Sequence, residues 1–150
     1  MNSRKLSAKL PDMWHTEHTL ETTTEPEAIW LRWKDVNGWP DWDEGLEWAQ
    51  LLGPLKVGSS GSLKRKGSQR QRFMVEEVQE GRGFTCIRKR LLTCMRWVLR
   101  VEPSRLGSRV THRIEVKGPM AWWLRLTMAR RIRQTLAPAV RKLARIAAKL

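Results

Sequence analysis

The sequence has no tyrosine, only two phenylalanines and two cysteines, and no long apolar run. Because crossing a bilayer takes roughly 20 consecutive apolar residues, the missing run predicts a chain that is not transmembrane. Cys86 and Cys94 could face each other on adjacent strands, but 150 residues can bury a core without a disulfide, so we expect free thiols. Residues 1–10 are basic and lack the apolar stretch of a secretory signal, which favours a cytoplasmic location.

Several motifs that carry chemistry are also missing. There is no glycine-rich phosphate loop, no G-x-S-x-G turn around a nucleophilic serine, and no pair of carboxylates expected to be buried. Histidine, cysteine and carboxylate residues do not show the spacing of a metal site, so the sequence predicts neither a metal nor a cofactor. Gly58-Ser59-Ser60-Gly61 is rich in phosphate-friendly residues but lacks the lysine spacing and the helix, and we interpret it as the start of a strand.

Positive charge and tryptophan are in excess. The chain has 29 lysine and arginine residues against 15 aspartate and glutamate residues, a net charge of +14, and nine tryptophans. Such a charge attracts nucleic acid, acidic partners or anionic lipid at low salt, but it supplies affinity rather than specificity. A coding bias toward arginine explains the excess equally well. Lys64-Arg65-Lys66, with Arg70 and Arg72, forms a basic hairpin that we expect to be solvated rather than bound to RNA or lipid.

The chain is the size of one domain, which buries roughly 70% of the surface that its unfolded chain exposes. Residues 1–12 are basic and show no sustained apolar period, so we expect a flexible N-terminal arm before a single domain at 13–150. The domain opens with residues 14–24, where the even-numbered side chains are mainly tryptophan, threonine and leucine. This alternation predicts a first strand with one buried face.

A short helix is predicted after the first strand. Thr24 followed by Pro26 is typical of a helix N-cap with proline in the first turn, and Asn37 with Gly38 suits a C-terminal cap. The expected buried side of this helix consists of Ala28, Ile29, Trp33 and Trp30. Trp39-Pro40-Asp41-Trp42 then predicts a second compact turn or helix.

Six further segments are bounded by glycine or proline and are predicted to be strands. They are residues 46–52, 59–66, 70–78, 83–91, 93–102 and 109–116. The last alternates most cleanly, with Val110, His112, Ile114 and Val116 on one face and charged or hydroxyl side chains on the other. The short connections predict an antiparallel meander.

The C-terminal segment changes to a helical period. After Gly118 and Pro119, apolar residues recur every three or four positions, and about 30 helical residues would span roughly 45 Å. Arginine and lysine take much of the opposite side. Because the sheet offers the apolar stripe a partner, packing on the sheet is favoured over a membrane-surface helix. Pro138 predicts a bend, after which the two halves meet the sheet at different angles.

Motifs spread from Trp14 to Leu143 carry a resemblance to a known family. They include Glu25-Pro26-Glu27-Ala28-Ile29-Trp30, Trp39-Pro40-Asp41-Trp42, Leu51-Leu52-Gly53-Pro54-Leu55-Lys56-Val57-Gly58-Ser59, Gly81-Arg82-Gly83-Phe84 and Thr111-His112-Arg113-Ile114-Glu115-Val116. On these residues the chain resembles the SRPBCC, or START-like, superfamily, and within it the polyketide cyclase/dehydrase and lipid-transport group. The resemblance implies an α+β helix-grip fold: a seven-stranded curved antiparallel sheet wrapped around a long C-terminal helix, with two short helices between strands 1 and 2.

The resemblance also implies an apolar ligand cavity between the sheet and the long helix, whereas a packed core is the alternative. The candidate lining consists of inward positions on the strands and the helix: Leu20, Leu63, Phe73, Val75, Phe84, Trp97, Leu99, Val110, His112, Ile114, Met120, Leu124, Met128 and Ile132. The family often has a bulky residue at the position of Gly61 and an aromatic near Cys86. Small residues there could enlarge a cavity, although Trp97 could fill the space.

His112 is the one ionisable residue that the cleanest strand pattern points inward. It could bind a ligand carbonyl or act as a general acid or base near neutral pH. A buried neutral histidine that bonds to a backbone carbonyl or water is the favoured interpretation.

Three functions are compatible with these residues. Binding of a small hydrophobic molecule, of lipid, polyketide or isoprenoid type, is favoured. The first alternative is a polyketide aromatase/cyclase in which His112 moves protons. The second is a protein whose basic surface docks on nucleic acid or an acidic partner. A shared fold does not choose among them.

Overall fold

A computed structural model describes residues 13–148 as one antiparallel sheet with two short helices and one long helix. The elements are β1 Met13–Thr22, α1 Pro26–Lys34, a 3-10 helix Val36–Asp41, β2 Leu46–Leu51, β3 Ser60–Arg65, β4 Arg70–Gln79, β5 Gly83–Lys89, β6 Cys94–Pro103, β7 Ser108–Lys117 and α2 Ala121–Ala147. The strand order β1-β7-β6-β5-β4-β3-β2 confirms the predicted helix-grip arrangement. The predicted flexible arm, residues 1–12, lies outside the described residues.

The period-two pattern places the strands correctly. In β7 every even-numbered residue from Ser108 to Val116 is buried, and β1 pairs with it in continuous register from Met13 opposite Lys117 to Thr22 opposite Ser108. The strand predicted at 83–91 ends earlier, at Lys89, because the next four residues form a turn closed by the Arg90 amide, which donates to the Thr93 carbonyl at 2.7 Å. Alternation therefore identifies each strand, whereas turns set its ends.

The prediction that Thr24 caps α1 is wrong. Glu25 occupies the N-cap position and its side chain makes no capping hydrogen bond, although Pro26 does stand in the first turn as predicted. The Thr24 hydroxyl instead donates to the Ala144 carbonyl of α2 at 3.1 Å, and the Ser108 hydroxyl donates to the Thr24 carbonyl at 2.5 Å. Thr24 thus joins the start of α1 to the long helix.

The two halves of α2 are anchored unequally. The helix continues through Pro138, and beyond it Ala139, Val140, Leu143, Ala144 and Ala147 are all buried. Before it, only three residues are buried, namely Ala121, Ala129 and Leu136. The C-terminal half therefore packs on α1 and the sheet as part of the main core, whereas the N-terminal half covers the sheet loosely.

Tryptophans from the segment between β1 and β2 fill most of the concave side of the sheet. Trp33 is fully buried, and Trp39 stacks between Phe73 and Phe84 with ring centroids 5.9 and 5.8 Å away. The Trp39 indole N–H also donates to the Trp33 carbonyl at 3.0 Å, which satisfies its polar atom in the interior. These aromatic side chains define how much space remains for anything else.

Candidate functional site

A small cavity remains between the 3-10 helix, the sheet and the middle of α2. Its volume is about 80 Å³, and its lining is largely apolar. The lining residues are Trp39, Trp42, Asp43, Leu46, Leu63, Arg65, Phe73, Phe84, Cys86, Trp97, Leu99, His112, Arg113, Ile114, Thr135, Leu136 and Ala139. Since the sites of drug-sized ligands usually span roughly 300–1,000 Å³, this cavity alone holds only part of such a molecule.

A cleft extends the cavity outward beneath the N-terminal half of α2. It has a volume of about 230 Å³ and shares Arg65, Trp97, Ile114 and Thr135 with the cavity lining. Its remaining walls include the apolar side chains of Met95, Met128 and Ile132. Cavity and cleft together therefore reach the lower end of the size range of small-molecule sites.

The structure places nine of the fourteen residues predicted to line a site at the cavity or the cleft. Those at the cavity are Leu63, Phe73, Phe84, Trp97, Leu99, His112 and Ile114, and those at the cleft also include Met128 and Ile132. Val75 and Val110 are buried in the main core, and Leu20 packs against that core from its edge. Met120 precedes α2 as its N-cap residue, and Leu124 packs on a second apolar cluster around Trp14. These five residues line neither space.

Sequence reasoning missed the residues that the short helices and the start of β2 contribute. Trp39 and Trp42 line the cavity from one side, and Asp43 forms an ion pair with Arg65 at 3.1 Å beside them. The motif Trp39-Pro40-Asp41-Trp42 signals a compact turn, but a 3-10 helix of six residues is too short for periodicity to show which side chains point inward.

Gly61 does not enlarge the cavity. A Cβ atom added there would collide with the Phe73 ring, which lies on the opposite strand, and would approach the Gln50 carbonyl oxygen to 2.7 Å. Gly61 therefore makes room for an aromatic side chain of the protein itself. The small residue at 86 does face the cavity, where burial raises the pKa of the Cys86 thiol to about 12. A thiol so strongly protonated is not a nucleophile at neutral pH.

His112 is buried and lines the cavity. Its ring lies between Trp33 and Trp42, with centroids 5.8 and 5.7 Å away, and His18 stands opposite on β1. Burial, and secondarily the charge of His18, lowers the pKa of His112 to about 3. The imidazole is therefore neutral at pH 7, as predicted. Within residues 13–148, His112 Nε2 makes no hydrogen bond to another protein atom, so the backbone carbonyl that is one of its two expected partners does not bond to it.

Trp42 carries a second unsatisfied polar atom in the same lining. Its indole Nε1 is buried and, within the described part of the chain, has no hydrogen-bond acceptor. A buried polar atom without a partner costs about 1–3 kcal/mol, so such atoms are usually bonded to water or a ligand. His112 and Trp42 therefore place buried ring nitrogens, without a partner among the described residues, next to a cavity whose other polar lining residues are Asp43, Arg65, Arg113 and Thr135.

Basic side chains surround the outer cleft. Lys66, Arg88 and Arg131 line it, and across residues 13–148 none of the three forms an ion pair. Burial, together with the nearby Arg90, lowers the pKa of Arg88. An apolar cleft with unpaired cations at its rim matches a molecule that has an apolar body and an anionic group.

Metal-binding and membrane-spanning features are absent from the described residues. From 13 to 148, no group of three or more histidine, cysteine, aspartate or glutamate residues is placed to hold a metal ion. Cys86 and Cys94 are both free. No helix in the described range is long and apolar enough to cross a membrane.

Comparison with solved structures supports the fold. The di-domain ARO/CYC StfQ from the steffimycin biosynthetic pathway superposes with a TM-score of 0.75 and 12% identity, over 91% of this chain and 51% of that chain. This protein thus spans about half the length of StfQ. Norcoclaurine synthase from Thalictrum flavum, in complex with dopamine and hydroxybenzaldehyde, gives 0.71 and 13%, over 91% and 87%. Ara h 8.0201 gives 0.72 and 9%, over 92% and 99%.

Comparison of the sequence with curated proteins finds no match. A family described as polyketide cyclase/dehydrase and lipid transport does match, over residues 13–148, which includes every element of the sheet and both α-helices. The motifs noted above lie within this range. The chain therefore belongs to the polyketide cyclase/dehydrase and lipid-transport family of the SRPBCC superfamily.

Proposed function

We propose that the protein binds a small hydrophobic molecule in the cavity and cleft between the sheet and α2. The observation that carries the proposal is a largely apolar cavity that shares the side chains of Trp97 and Ile114 with a cleft beneath α2. The apolar part of the ligand would gain about 25 cal/mol per Å² of buried surface before the costs of association. A hydroxyl or carbonyl of the ligand would bond to one of the polar residues of the cavity, such as His112 or Thr135.

The cleft favours a ligand with an acidic group at its outer end. Lys66, Arg88 and Arg131 would bind a carboxylate or phosphate there, while the apolar chain passes Trp97 and Ile114 toward the cavity. A ligand of this shape would occupy both the cavity and the cleft, since each space alone is too small to hold it. An anionic amphiphile, such as a medium-chain fatty acid, is therefore the probe of choice.

Blocking the junction of cavity and cleft tests the site. Thr135 lines both spaces from α2, so Thr135→Trp should fill the passage and weaken decanoate binding at least about tenfold, measured by isothermal titration calorimetry. Gln134→Trp is the matched control, because the neighbouring side chain is equally exposed but lines neither space. Equal decanoate binding by the two variants would count against the site.

Removing one rim charge tests the expected chemistry of the ligand. Arg131→Gln should reduce the preference for decanoate over decanol about three- to tenfold, since one charge-assisted contact to the carboxylate is lost. Arg130→Gln, on an exposed neighbouring residue outside the cleft, should leave the preference unchanged. A wild-type protein that binds decanol as tightly as decanoate would refute the acidic group while leaving hydrophobic binding intact.

An aromatase/cyclase using the same cavity is the second candidate, supported by the family match and by the ARO/CYC neighbour. In it His112 would be the group that moves protons. A pKa of about 3 makes this imidazole a weak base and leaves almost no imidazolium to act as an acid at neutral pH. Binding without catalysis is therefore favoured. If the protein turned over a polyketide substrate and His112→Gln abolished that turnover, the aromatase/cyclase would become the preferred function.

A further inference from the structure

One end of the molecule carries large apolar side chains exposed to solvent. We call it the apolar tip and define it as Leu91, Leu92, Trp122, Trp123 and Leu126. Leu91 is 98% exposed and Leu126 is 76% exposed, and the other three are between 37% and 47% exposed. A single exposed leucine needs no explanation, but a group of five at one end of a domain marks an interaction surface.

The structure holds the two parts of the apolar tip together. Leu91 and Leu92 lie in the turn between β5 and β6, and the tryptophans lie in the first turn of α2. The Met120 amide donates to the Leu92 carbonyl at 3.3 Å. Gly118 (φ +117°) permits this approach, because a Cβ atom there would lie 2.5 Å from the Leu92 carbonyl oxygen. The turn and the helix start therefore form one surface.

The charge around the apolar tip is of one sign. Lys89, Arg90, Lys117 and Arg125 flank it and are exposed, and within residues 13–148 none of them forms an ion pair. No aspartate or glutamate occurs in residues 89–94 or 116–133, the two segments that carry the apolar tip. All charged side chains of these two segments are therefore basic.

We propose that the apolar tip docks on the surface of an anionic lipid bilayer. Tryptophan favours the bilayer interface, and leucine inserts among the acyl chains. Lysine or arginine at the rim binds anionic headgroups, and each such cation contributes about 1 kcal/mol of binding free energy. Nucleic acid would use the cations but offers no apolar medium for Leu91 and Leu126. The combination of exposed leucine, tryptophan and unpaired cations therefore fits lipid better than either nucleic acid or a hydrophilic acidic protein.

The apolar tip lies near the cleft but is built from different residues, so the docking proposal does not depend on the ligand proposal. The same half of α2 carries Trp122 and Trp123 at its start and lines the cleft with Met128 and Arg131 two turns later. A docked molecule would therefore hold the covering helix of the cleft against the lipid surface. The ligand proposal can fail while docking stands, and the reverse holds as well.

Sedimentation with lipid vesicles tests the proposal. The full chain should bind phosphatidylcholine vesicles that contain about 30% phosphatidylserine, and bind much less to phosphatidylcholine alone. Leu91→Asp combined with Trp123→Ala should lower the partition coefficient about tenfold or more, because it removes two inserted side chains. Arg90→Gln combined with Arg125→Gln should lower it to a similar extent at low salt and less at high salt.

A matched control exists at the opposite end of β6. Leu106, in the turn before β7, is 53% exposed, so Leu106→Asp changes a similar side chain far from the apolar tip and should leave vesicle binding unchanged. All these positions are exposed, and unchanged thermal unfolding would verify that the variants fold. Equal binding by wild type, tip variants and control would overturn the proposal. So would the absence of vesicle binding in a protein that binds a DNA duplex, since the charge would then serve nucleic acid.

Discussion

Trp39→Ala is expected to lower the free energy of unfolding by about 3–5 kcal/mol, the range typical of large aromatic side chains removed from a core. Trp39 is 8% exposed and stacks between Phe73 and Phe84. Truncation would leave a void at the centre of the concave face and would remove the hydrogen bond to the Trp33 carbonyl. Urea denaturation followed by circular dichroism measures the loss.

The control for this variant is Trp122→Ala, which removes the same side chain from an exposed position at the start of α2. Its free energy of unfolding should fall by clearly less than that of Trp39→Ala, because 37% of Trp122 is exposed against 8% of Trp39. Similar losses in the two variants would mean that Trp39 does not support the core as described. The Trp39→Ala variant should also enlarge the cavity, since Trp39 forms part of its lining.

Stability should fall with acid because of His112. The pKa of His112 is about 3 in the folded protein against an ordinary value of 6.5, so the unfolded chain takes up the proton first. This contribution is fully present above about pH 6.5 and is lost progressively as the pH falls toward 3. Between pH 7 and pH 5 the loss amounts to about 2 kcal/mol.

His112→Leu isolates this effect from the other titrating groups. Over the same pH interval the variant should lose about 2 kcal/mol less stability than the wild type, as measured by urea denaturation at each pH. His15→Gln, on the exposed side of β1, should retain the wild-type pH dependence. The assignment would be wrong if His112→Leu and wild type showed parallel curves.

The sheet and the long helix could be predicted because their signals are periodic. Alternation along β7 reports which residues face the core, and the spacing of apolar residues along α2 reports a helix, since both patterns follow directly from backbone geometry. Thr24 shows where local rules stop. Its sequence context is that of a helix cap, but its hydroxyl donates a hydrogen bond to the carbonyl of Ala144, 120 residues away. A tertiary hydrogen bond of this kind leaves no local signal.

The size of the candidate site was harder to predict than its location. Facing positions such as Leu63, Leu99 and His112 were identified because they lie on regular strands. The filling of the space depends on Trp39 and Trp42, whose directions are set by a short 3-10 helix, and on the Phe73 ring over Gly61. A small residue on a strand creates room, but only the cross-strand neighbour decides whether that room stays empty.

The unequal anchoring of the two halves of α2 suggests how a ligand could reach the cavity between the helix and the sheet. Ala139, Val140, Leu143, Ala144 and Ala147 share the main core with α1, and the Thr24 hydroxyl bonds to the Ala144 carbonyl, so releasing this half would disrupt the core. The preceding half buries few side chains, so it can separate from the sheet at a much smaller free-energy cost. Pro138 marks the boundary, because it lacks the amide hydrogen that would otherwise couple the two halves. A ligand would therefore enter most easily where the N-terminal half of α2 covers the cleft.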